Sequence, residues 1–413
     1  MSTLRHWIWL STRGPAPGMY AARLLEAFGS PEGAYHADSQ AYEALALPPK
    51  VRIALQDKSL READRILSDC DRLGIWVLTI QDAGYPERLR QIDTPPCVLY
   101  GRGTFPHLDQ EAAVAIVGAR KASPYGVSAA RKLGHDLARQ GAVVVSGSAW
   151  GVDSAAIQGA LQAGGRVVSV LGNGIDVVYP QGNEALYQDV TASGALLSEY
   201  PPGTEPKGSH FPVRNRLIAG LSLGVVVAEG TETSGSLITA RWALEQGRDV
   251  FAVPGAIDSA MSRGPNGLIR RGEAMLIQDA WDILEEYQFL YPAKLQPRNP
   301  LPQKAEEARL AGETPKPAPR PEPAPKTNKV PEKAPETDIL VVDLRQEPEA
   351  FTDDEAAILR TLQVRGDLTP DDLTEATGIP ARRILSALTM LQVRQLVKEE
   401  TGKRFITQVL LKE

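Results

Sequence analysis

The sequence predicts an α/β fold built on a doubly wound, mostly parallel sheet, and two observations support this prediction. Between residues 112 and 290, short continuous apolar runs alternate with helical patterns. Such a run is typical of a strand that is buried on both faces, as the strands of a parallel sheet are. The predicted strands are AAVAIVG, AVVVSG, RVVSVLG, GALLSEY, LGVVVAEG, DVFAVPG and AMLIQ. The alternation indicates a Rossmann-like domain.

The segments between these strands carry helix signals. The predicted helices are VSAARKLGHDLARQG, DSAAIQGALQAGG, NEALYQDVTAS, RNRLIAGLS and GSLITARWALEQG. The first should begin at Ser123 and Pro124, because serine is a favoured N-cap residue and proline fits the first helical position. The helix RNRLIAGLS would begin with Arg214 and Arg216, although the helix dipole is already positive there. This placement indicates that a negative group binds from outside.

The part of the chain before the sheet is predicted to form a small N-terminal helical domain and a connector, residues 1–110. Short amphipathic runs such as AYEALALPP and LREADRILSDCDRLG fit this prediction, and Gly74 fits a helix stop. A strand, IWVLTI, and the segment GYPERLRQIDTPPCVLYGRG then lead into the sheet. Short helices joined by Gly and Pro turns, as in a SAM or helix-hairpin domain, serve either packing or DNA binding, and the sequence leaves both open.

Proline marks the end of this large N-terminal part. Between Pro292 and Thr337 there are 12 prolines in 46 residues, mixed with Lys, Glu and Ala. Such a segment cannot bury a core, so residues 292–348 are predicted to be an extended, flexible linker. It separates the sheet domain, residues 111–291, from a small C-terminal domain, residues 349–413. There a helix, a Gly-Ile-Pro turn, a longer helix and two short strands predict a winged helix-turn-helix.

The composition limits the possible functions. With 413 residues, 43% hydrophobic and 23% charged, the chain is an ordinary globular protein of two or three domains. Its net charge of −6 excludes a basic coat for nucleic acid, so any anion site has to be local. Cys70 and Cys97 lack motif spacing and the five histidines form no ligand pair, which predicts no metal, no cofactor and a reducing cytoplasm. The apolar run 7–10 is too short for a membrane span or a signal peptide.

Candidate ligand residues lie in loops that follow the strands, since ligands of such sheets bind outside the carboxyl ends of the strands. These loops combine guanidinium groups that bind phosphate bidentately, lysines, an aromatic face for stacking and small residues that permit close approach. The candidates are Arg120, Lys121, Ser146, Gly147, Lys207, Phe211, Arg214, Asn215, Arg216 and Ser234. Together they predict a compact crevice for a phosphate-bearing ligand.

Some charged residues have internal alternatives to ligand binding. Arg214 and Arg216 have possible partners inside the fold in Glu199 and Glu229, and Asp153 is expected to cap the helix that follows it rather than act as an acid. No catalytic constellation emerges: the loop serines lack a base, and neither a Walker A lysine nor a dinucleotide fingerprint is found. The sequence therefore predicts a binding protein that is not an enzyme.

Several stretches of the sheet domain carry specific motifs: IVGARKASPYG, VVSGSAWGVDSAA, LGNGIDVVYP, LLSEYPPG, KGSHFPVRNRLIAGLS, VVVAEGTETSGSLITA, and VFAVPG followed by GPNGLIRRGEAMLI. In this order they resemble the DNA-processing protein A family, DprA/Smf. The resemblance implies an extended Rossmann fold that forms a homodimer. It also implies binding of single-stranded DNA (ssDNA) without strong sequence preference, protection of that strand, and loading of the RecA recombinase. In that family the role belongs to natural transformation, competence for DNA uptake, and recombination.

The resemblance also implies which residues contact DNA. The family's pocket falls on Arg120, Lys207, Phe211, Arg214 and Asn215, with Ser146, Gly147 and Ser234 as neighbours. The family commonly has Ser or Thr where this chain has Ala119, so a small residue is kept but one hydroxyl is missing. Some members carry a winged-helix domain after the core. Whether that domain contacts duplex DNA or a protein here is left open by the sequence.

Two other functions stay open at this point. LOG-like nucleotide phosphoribohydrolases share the buried strands and the glycine turns, but they carry a PGGxGTxxE signature where this chain has AEGTETSGSLITA. The other interpretation, a DNA-binding regulator with a ligand-sensing core, is supported by the winged domain alone. It predicts a preference for a specific duplex over random single strands.

Overall fold

The chain divides into two compact units, Met1–Ala318 and Pro319–Glu413. The computed structural model describes residues 2–14, 17–297, 340–343, 351–394, 396–400, 404–407 and 409–412. Most of the linker predicted over residues 292–348 lies outside the described residues. The domain boundaries proposed from the sequence therefore stay predictions.

The first unit is built on one nine-stranded sheet. Its strands are β1 Trp76–Thr79, β2 Val98–Gly103, β3 Ala113–Val117, β4 Val143–Ser146, β5 Val167–Leu171, β6 Ala195–Ser198, β7 Gly224–Val227, β8 Asp249–Ala252 and β9 Met275–Leu276. Their order is β1-β2-β6-β5-β4-β3-β7-β8-β9. In this order, the seven neighbouring strands β6-β5-β4-β3-β7-β8-β9 run parallel to one another. Strand β2 pairs antiparallel with β6, and β1 pairs antiparallel with β2. The predicted α/β class with a mostly parallel sheet is confirmed.

The strand order changes direction at β3. This strand pairs with β4 on one side and with β7 on the other, so that Val114 lies between Val144 and Gly224. After β3 the chain adds β4, β5 and β6 toward one edge of the sheet, and then β7, β8 and β9 toward the other. The connections leave such a switch point on opposite faces, which opens a crevice outside the carboxyl ends of the strands. The ends of β3 and β7 therefore mark the place where a ligand site is expected.

Apolar side chains cover both faces of the sheet. Along β3, Val114 and Ile116 belong to one hydrophobic cluster, and Ala113, Ala115 and Val117 belong to the cluster on the opposite face. This division follows from the two-residue period of strand side chains. A strand buried on both faces has no polar alternation, which is why continuous apolar runs identify these strands.

Helices surround the sheet. They are α1 Ser2–Ser11, α2 Ala21–Phe28, α3 Pro31–His36, α4 Ser39–Glu43, α5 Pro49–Gln56, α6 Arg61–Leu73, α7 Glu87–Arg90, α8 Pro124–Arg139, α9 Val152–Gln162, α10 Glu184–Ser193, α11 His210–Gly220, α12 Ser236–Glu245, α13 Arg263–Arg270 and α14 Trp281–Leu284. Trp7 and Trp9 of α1 lie in the same hydrophobic cluster as Val114 of the sheet. Because β1 and β2 also join this sheet, the described part of residues 1–110 shares both a core and a sheet with the parallel strands after it.

Helix α11 differs from its prediction in where it begins. The expected start is Arg214, but the helix begins at His210. The ring of His210 stacks on Tyr200 at 4.2 Å between centroids, and its Nδ1 lies 3.0 Å from the carbonyl oxygen of Gly172. Pro212 is tolerated because the first turn of a helix needs no backbone N–H donors. Arg214 and Arg216 therefore lie in the second turn, and the expectation of cations at the helix N-terminus is wrong.

The second unit is small and has its own hydrophobic core. Its elements are β10 Leu340–Asp343, α15 Asp353–Arg365, α16 Pro370–Thr377, α17 Ala381–Val393, β11 Val397–Glu400, β12 Arg404–Thr407 and β13 Val409–Lys412. Ile358, Leu373, Ile384 and Phe405 are buried together in it. Strands β11 and β12 pair antiparallel after the three helices, as a winged helix requires, whereas β10 lies inside the predicted linker and pairs with β13. Among the described helices of both units, none has the length and apolar character needed to cross a bilayer.

Candidate functional site

A cleft of about 510 Å³ lies where β3 and β7 end, at the switch point of the sheet. Its walls come from the loops after β3, β4 and β7 and from the N-terminal parts of α11 and α12. Six of the ten residues predicted from the sequence line it: Arg120, Lys121, Phe211, Arg214, Asn215 and Ser234. The fold therefore brings distant segments of the chain together into one cationic cleft.

The loop after β3 carries the exposed cations of the cleft, Arg120 and Lys121. The guanidinium carbon of Arg120 lies 4.8 Å from the centroid of the Phe211 ring, which is a cation–π distance. The next helix begins as predicted, with Ser123 as N-cap residue. Its N–H and Oγ both donate to the carboxylate of buried Glu229, at 2.7 and 2.5 Å. Glu229 therefore fixes the loop that presents Arg120.

Arg214 is buried at the base of the cleft and is held by main-chain carbonyls. Its Nη1 donates to the carbonyl of Gly147 at 2.9 Å and also to that of Val170, while Nε donates to Oδ1 of Asn215 at 3.2 Å. Burial lowers the pKa of Arg214, although the nearby carboxylate of Asp153 opposes this shift. Gly147 does not line the cleft, but it accepts this hydrogen bond and leaves space for the guanidinium group.

Asp153 lines the cleft and is only 6% exposed. It lies in the first turn of α9, whose N-cap residue is Gly151, and its Oδ2 accepts the N–H of Ala149 at 3.4 Å. Burial raises the pKa of Asp153 to about 6, although the positive charge of Arg214 works against the rise. The prediction that Asp153 caps the helix is therefore wrong. Its carboxylate instead faces a buried cation in the candidate site.

Arg216 is a predicted site residue that the structure keeps away from the cleft. Its Nη2 donates to Oε1 of Glu199 at 2.7 Å, both side chains are buried, and Nε donates to the carbonyl of Thr94 at 3.1 Å. Residues two apart on a helix do not share a face, so Arg214 and Arg216 point to different sides of α11. The internal alternative considered for these arginines therefore holds for Arg216, which pairs with Glu199.

Ser146 and Lys207 are predicted site residues that do not line the cleft. Ser146 is fully buried, and its Oγ donates to the carbonyl of Ile116 at 2.7 Å, so it ties the end of β4 to β3. Lys207 is exposed ahead of α11 and is not among the lining residues, although its neighbour Gly208 is. The side chain of Ser234 lines the cleft and lies 2.8 Å from Oγ of Ser236.

Other lining residues were not predicted from the sequence. They are Ala149, Pro212, Ile218, Thr231, Ile238, Thr239 and Met261, among others. The hydroxyl-rich segment TETSGS after β7 was a usable signal for Thr231. The apolar residues had none, since Ile238 and Met261 look like ordinary core positions in the sequence. In the described ranges there is no cluster of three or more His, Cys, Asp or Glu side chains that could hold a metal ion.

Comparison with known proteins agrees with this architecture. The sequence model of the family described as DNA recombination-mediator protein A matches residues 76–288, and that of the DprA winged helix domain matches residues 342–403. The chain is 42% identical to the DNA processing protein DprA of Bacillus subtilis over 222 residues, which cover 54% of this chain and 74% of the relative. It is 31% identical to the putative DNA processing protein DprA of Mycobacterium tuberculosis over 418 residues, 97% of this chain and 94% of the relative.

A solved structure shows the same fold. The X-ray structure of DNA processing protein A from Streptococcus pneumoniae superposes with a TM-score of 0.60 at 34% identity, covering 68% of this chain and 97% of that one. The sheet and the winged helix thus match in sequence, and the mycobacterial relative aligns over nearly the whole chain. The chain therefore belongs to the DNA recombination-mediator protein A family, the DprA/Smf family that its sequence motifs resemble.

Proposed function

We propose that the chain binds single-stranded DNA in the cleft at the switch point, without strong sequence preference. The observation that supports this most is the combination of Arg120, Lys121 and Arg214 with the aromatic ring of Phe211 in one concave site. The guanidinium groups and the lysine bind phosphates, and the ring of Phe211 orients the guanidinium group of Arg120 through a cation–π contact. Neither kind of contact reads base edges, so the binding tolerates any sequence.

Arg214 is preorganised for such binding. Its Nη1 and Nε are occupied by hydrogen bonds to Gly147, Val170 and Asn215, whereas Nη2 makes no hydrogen bond within the residues that the structure describes. A guanidinium group that is already oriented loses little conformational entropy when a phosphate arrives. Exposed Arg120 and Lys121 at the rim supply the longer-range attraction.

Further parts of the proposal rest on membership of the family. The chain protects the bound strand and promotes loading of the RecA recombinase, as a homodimer in the cytoplasm, during natural transformation and recombination. The role is that of a binding protein and not of an enzyme. For the second unit we propose contact with a protein rather than duplex DNA. Arg383 lies on α17, the candidate DNA-recognition helix of the winged helix, and it already donates two hydrogen bonds to Asp354, at 2.8 and 2.7 Å.

Substitution of Arg120 in the full chain tests the proposal. In a competition among random ssDNA, duplex DNA and mononucleotides, the wild type should prefer ssDNA. Arg120→Ala should weaken ssDNA binding about tenfold or more, since a hydrogen bond to a charged group contributes about 1.5–3 kcal/mol. The matched control is Arg61→Ala, which removes an exposed arginine on α6, away from the lining of the cleft.

The same assay separates the alternatives. Unchanged ssDNA affinity in Arg120→Ala would remove the cleft from the proposal. Release of free base from nucleoside monophosphates would favour a LOG-like phosphoribohydrolase. A marked preference for one duplex sequence would favour a DNA-binding regulator.

A further inference from the structure

Trp150 differs from the other five tryptophans of the chain, all of which lie in the described ranges. Trp7 and Trp9 are buried, and Trp76, Trp242 and Trp281 are half-buried, whereas Trp150 is 57% exposed. It follows Ala149, which lines the cleft. No ring or cation contact involves Trp150 within the part of the chain that the structure describes, so much of its indole is open to solvent.

The main chain that carries Trp150 is held in place on its N-terminal side. The carbonyl of Ser148 accepts a hydrogen bond from Nδ2 of Asn183 at 2.9 Å. The carbonyl of Ala149 accepts two hydrogen bonds from Ser154, one from N–H at 3.1 Å and one from Oγ at 2.7 Å. These contacts fix the loop after β4 on α9 and on the segment before α10. Trp150 is therefore an exposed aromatic residue on a fixed backbone.

On its C-terminal side, the loop packs against the loop of Arg120. Gly151 has a φ of +79°, and a Cβ atom there would lie 2.3 Å from the carbonyl oxygen of Ala119 and 2.6 Å from that of Arg120. Only glycine permits this approach. The N–H of Val152 also donates to the carbonyl of Ala119 at 3.2 Å. The backbone at Trp150 is thus adjacent to the residue that presents a guanidinium group to the cleft.

The aromatic ring predicted for base stacking, Phe211, has less open surface than Trp150. Arg120 covers it at 4.8 Å, Arg214 lies 5.9 Å from its centroid, and Tyr179 lies 5.3 Å away with a 30° tilt. A Cβ atom at Gly172 would lie 3.0 Å from the same ring. Phe211 is half-buried among these groups, so it orients Arg120 and offers little free face to a base.

We infer that Trp150 is a stacking platform for an unpaired base of the bound strand, beside a phosphate held by Arg120. This inference rests on the proposed function and adds a contact to it. A tryptophan on a rigid loop provides a large apolar face at low entropic cost, and every base has a face that can stack on it. The occupant is a nucleobase rather than a protein because the platform borders the cationic cleft, where a phosphate backbone is attracted.

The test uses the full chain and two oligonucleotides of equal length, oligo(dT) and the same phosphate backbone with abasic sites throughout. Trp150→Leu should bind oligo(dT) about 5- to 150-fold more weakly than the wild type, the range measured for loss of one stacked base. Its affinity for the abasic strand should be unchanged. Trp150→Phe should keep most of the affinity for oligo(dT), because a phenyl ring still stacks.

Two further measurements make the test decisive. Phe211→Leu should weaken binding of both strands alike, because it disturbs Arg120 and hence the phosphate contact. Oligo(dT) should quench the tryptophan fluorescence of the wild type but not that of Trp150→Phe. If Trp150→Leu binds oligo(dT) as the wild type does, or weakens both strands equally, the stacking inference is overturned and the cleft proposal stands. If the wild type binds neither strand, the proposed function itself fails.

Discussion

Gly147 and Arg214 pack so closely that no side chain fits between them. A Cβ atom at Gly147 would lie 2.6 Å from both terminal guanidinium nitrogens of Arg214, and the carbonyl of Gly147 accepts a hydrogen bond from Nη1 at 2.9 Å. The position of the buried guanidinium group of Arg214 therefore depends on the absence of a side chain at Gly147, in the loop after β4.

Gly147→Ala should displace this guanidinium group. We expect the free energy of unfolding to fall by about 1–3 kcal/mol, as for other overpacked sites, and the affinity for ssDNA to fall as well. Urea unfolding and fluorescence anisotropy measure the two effects. The matched control is Gly84→Ala, outside the lining of the cleft, where an added Cβ meets only the side chain of Leu78 at 3.8 Å. Wild-type stability and affinity in Gly147→Ala would contradict the assigned contact.

The buried pair Arg216–Glu199 should matter for stability and not for DNA. Arg216→Met leaves the carboxylate of Glu199 buried without its partner and should reduce the free energy of unfolding by about 3–5 kcal/mol. The double variant Arg216→Met with Glu199→Leu should recover part of that loss, because no charge is then left unpaired. Under conditions in which each variant is folded, its affinity for ssDNA should be close to that of the wild type. A weakened affinity at unchanged stability would place Arg216 in the interface.

Asp153 should make stability depend on pH in a defined direction. Burial raises its pKa from 3.8 to about 6, so the folded protein binds a proton more tightly than the unfolded chain. The resulting stabilisation is fully present below pH 3.8 and is lost as the pH rises through about 6. Asp153→Asn cannot lose this stabilisation. The free energy of unfolding of the variant should therefore rise relative to that of the wild type, by up to about 3 kcal/mol, between about pH 4 and 7.

Urea unfolding of both proteins across that pH range measures the difference between their free energies of unfolding. Effects of all other titrating groups cancel in this difference. A difference that stays constant across the range would show that Asp153 does not titrate there.

Lys207 is exposed at the approach to the cleft, and its contribution should appear in the salt dependence. The logarithm of ssDNA affinity should fall linearly with the logarithm of salt concentration, with a slope of about −0.7 for each neutralised phosphate. Lys207→Ala should reduce the magnitude of this slope by about 0.7, and Lys207→Arg should keep it. Lys50→Ala, which removes an exposed lysine of α5, serves as the control. An unaltered slope in Lys207→Ala would place that lysine outside the strand's path.

Some features of this protein could be predicted from the amino-acid sequence alone because they depend on local patterns. Continuous apolar runs indicate strands buried on both faces, and Ser123 with Pro124 indicates the start of α8. The rule that ligands bind beyond the carboxyl ends of parallel strands then selected the loops of Arg120, Phe211, Arg214 and Ser234. All four line the cleft in the structure.

Only the tertiary structure decided what each of these side chains does. Arg214 and Arg216 are equivalent in the sequence, yet one faces the cleft and the other pairs with Glu199, because the direction of a helical side chain depends on its angular position around the helix. The burial of Asp153 and the exposure of Trp150 depend in the same way on contacts with distant segments. Local patterns determine which elements form, whereas burial, pairing and exposure follow from how these elements pack.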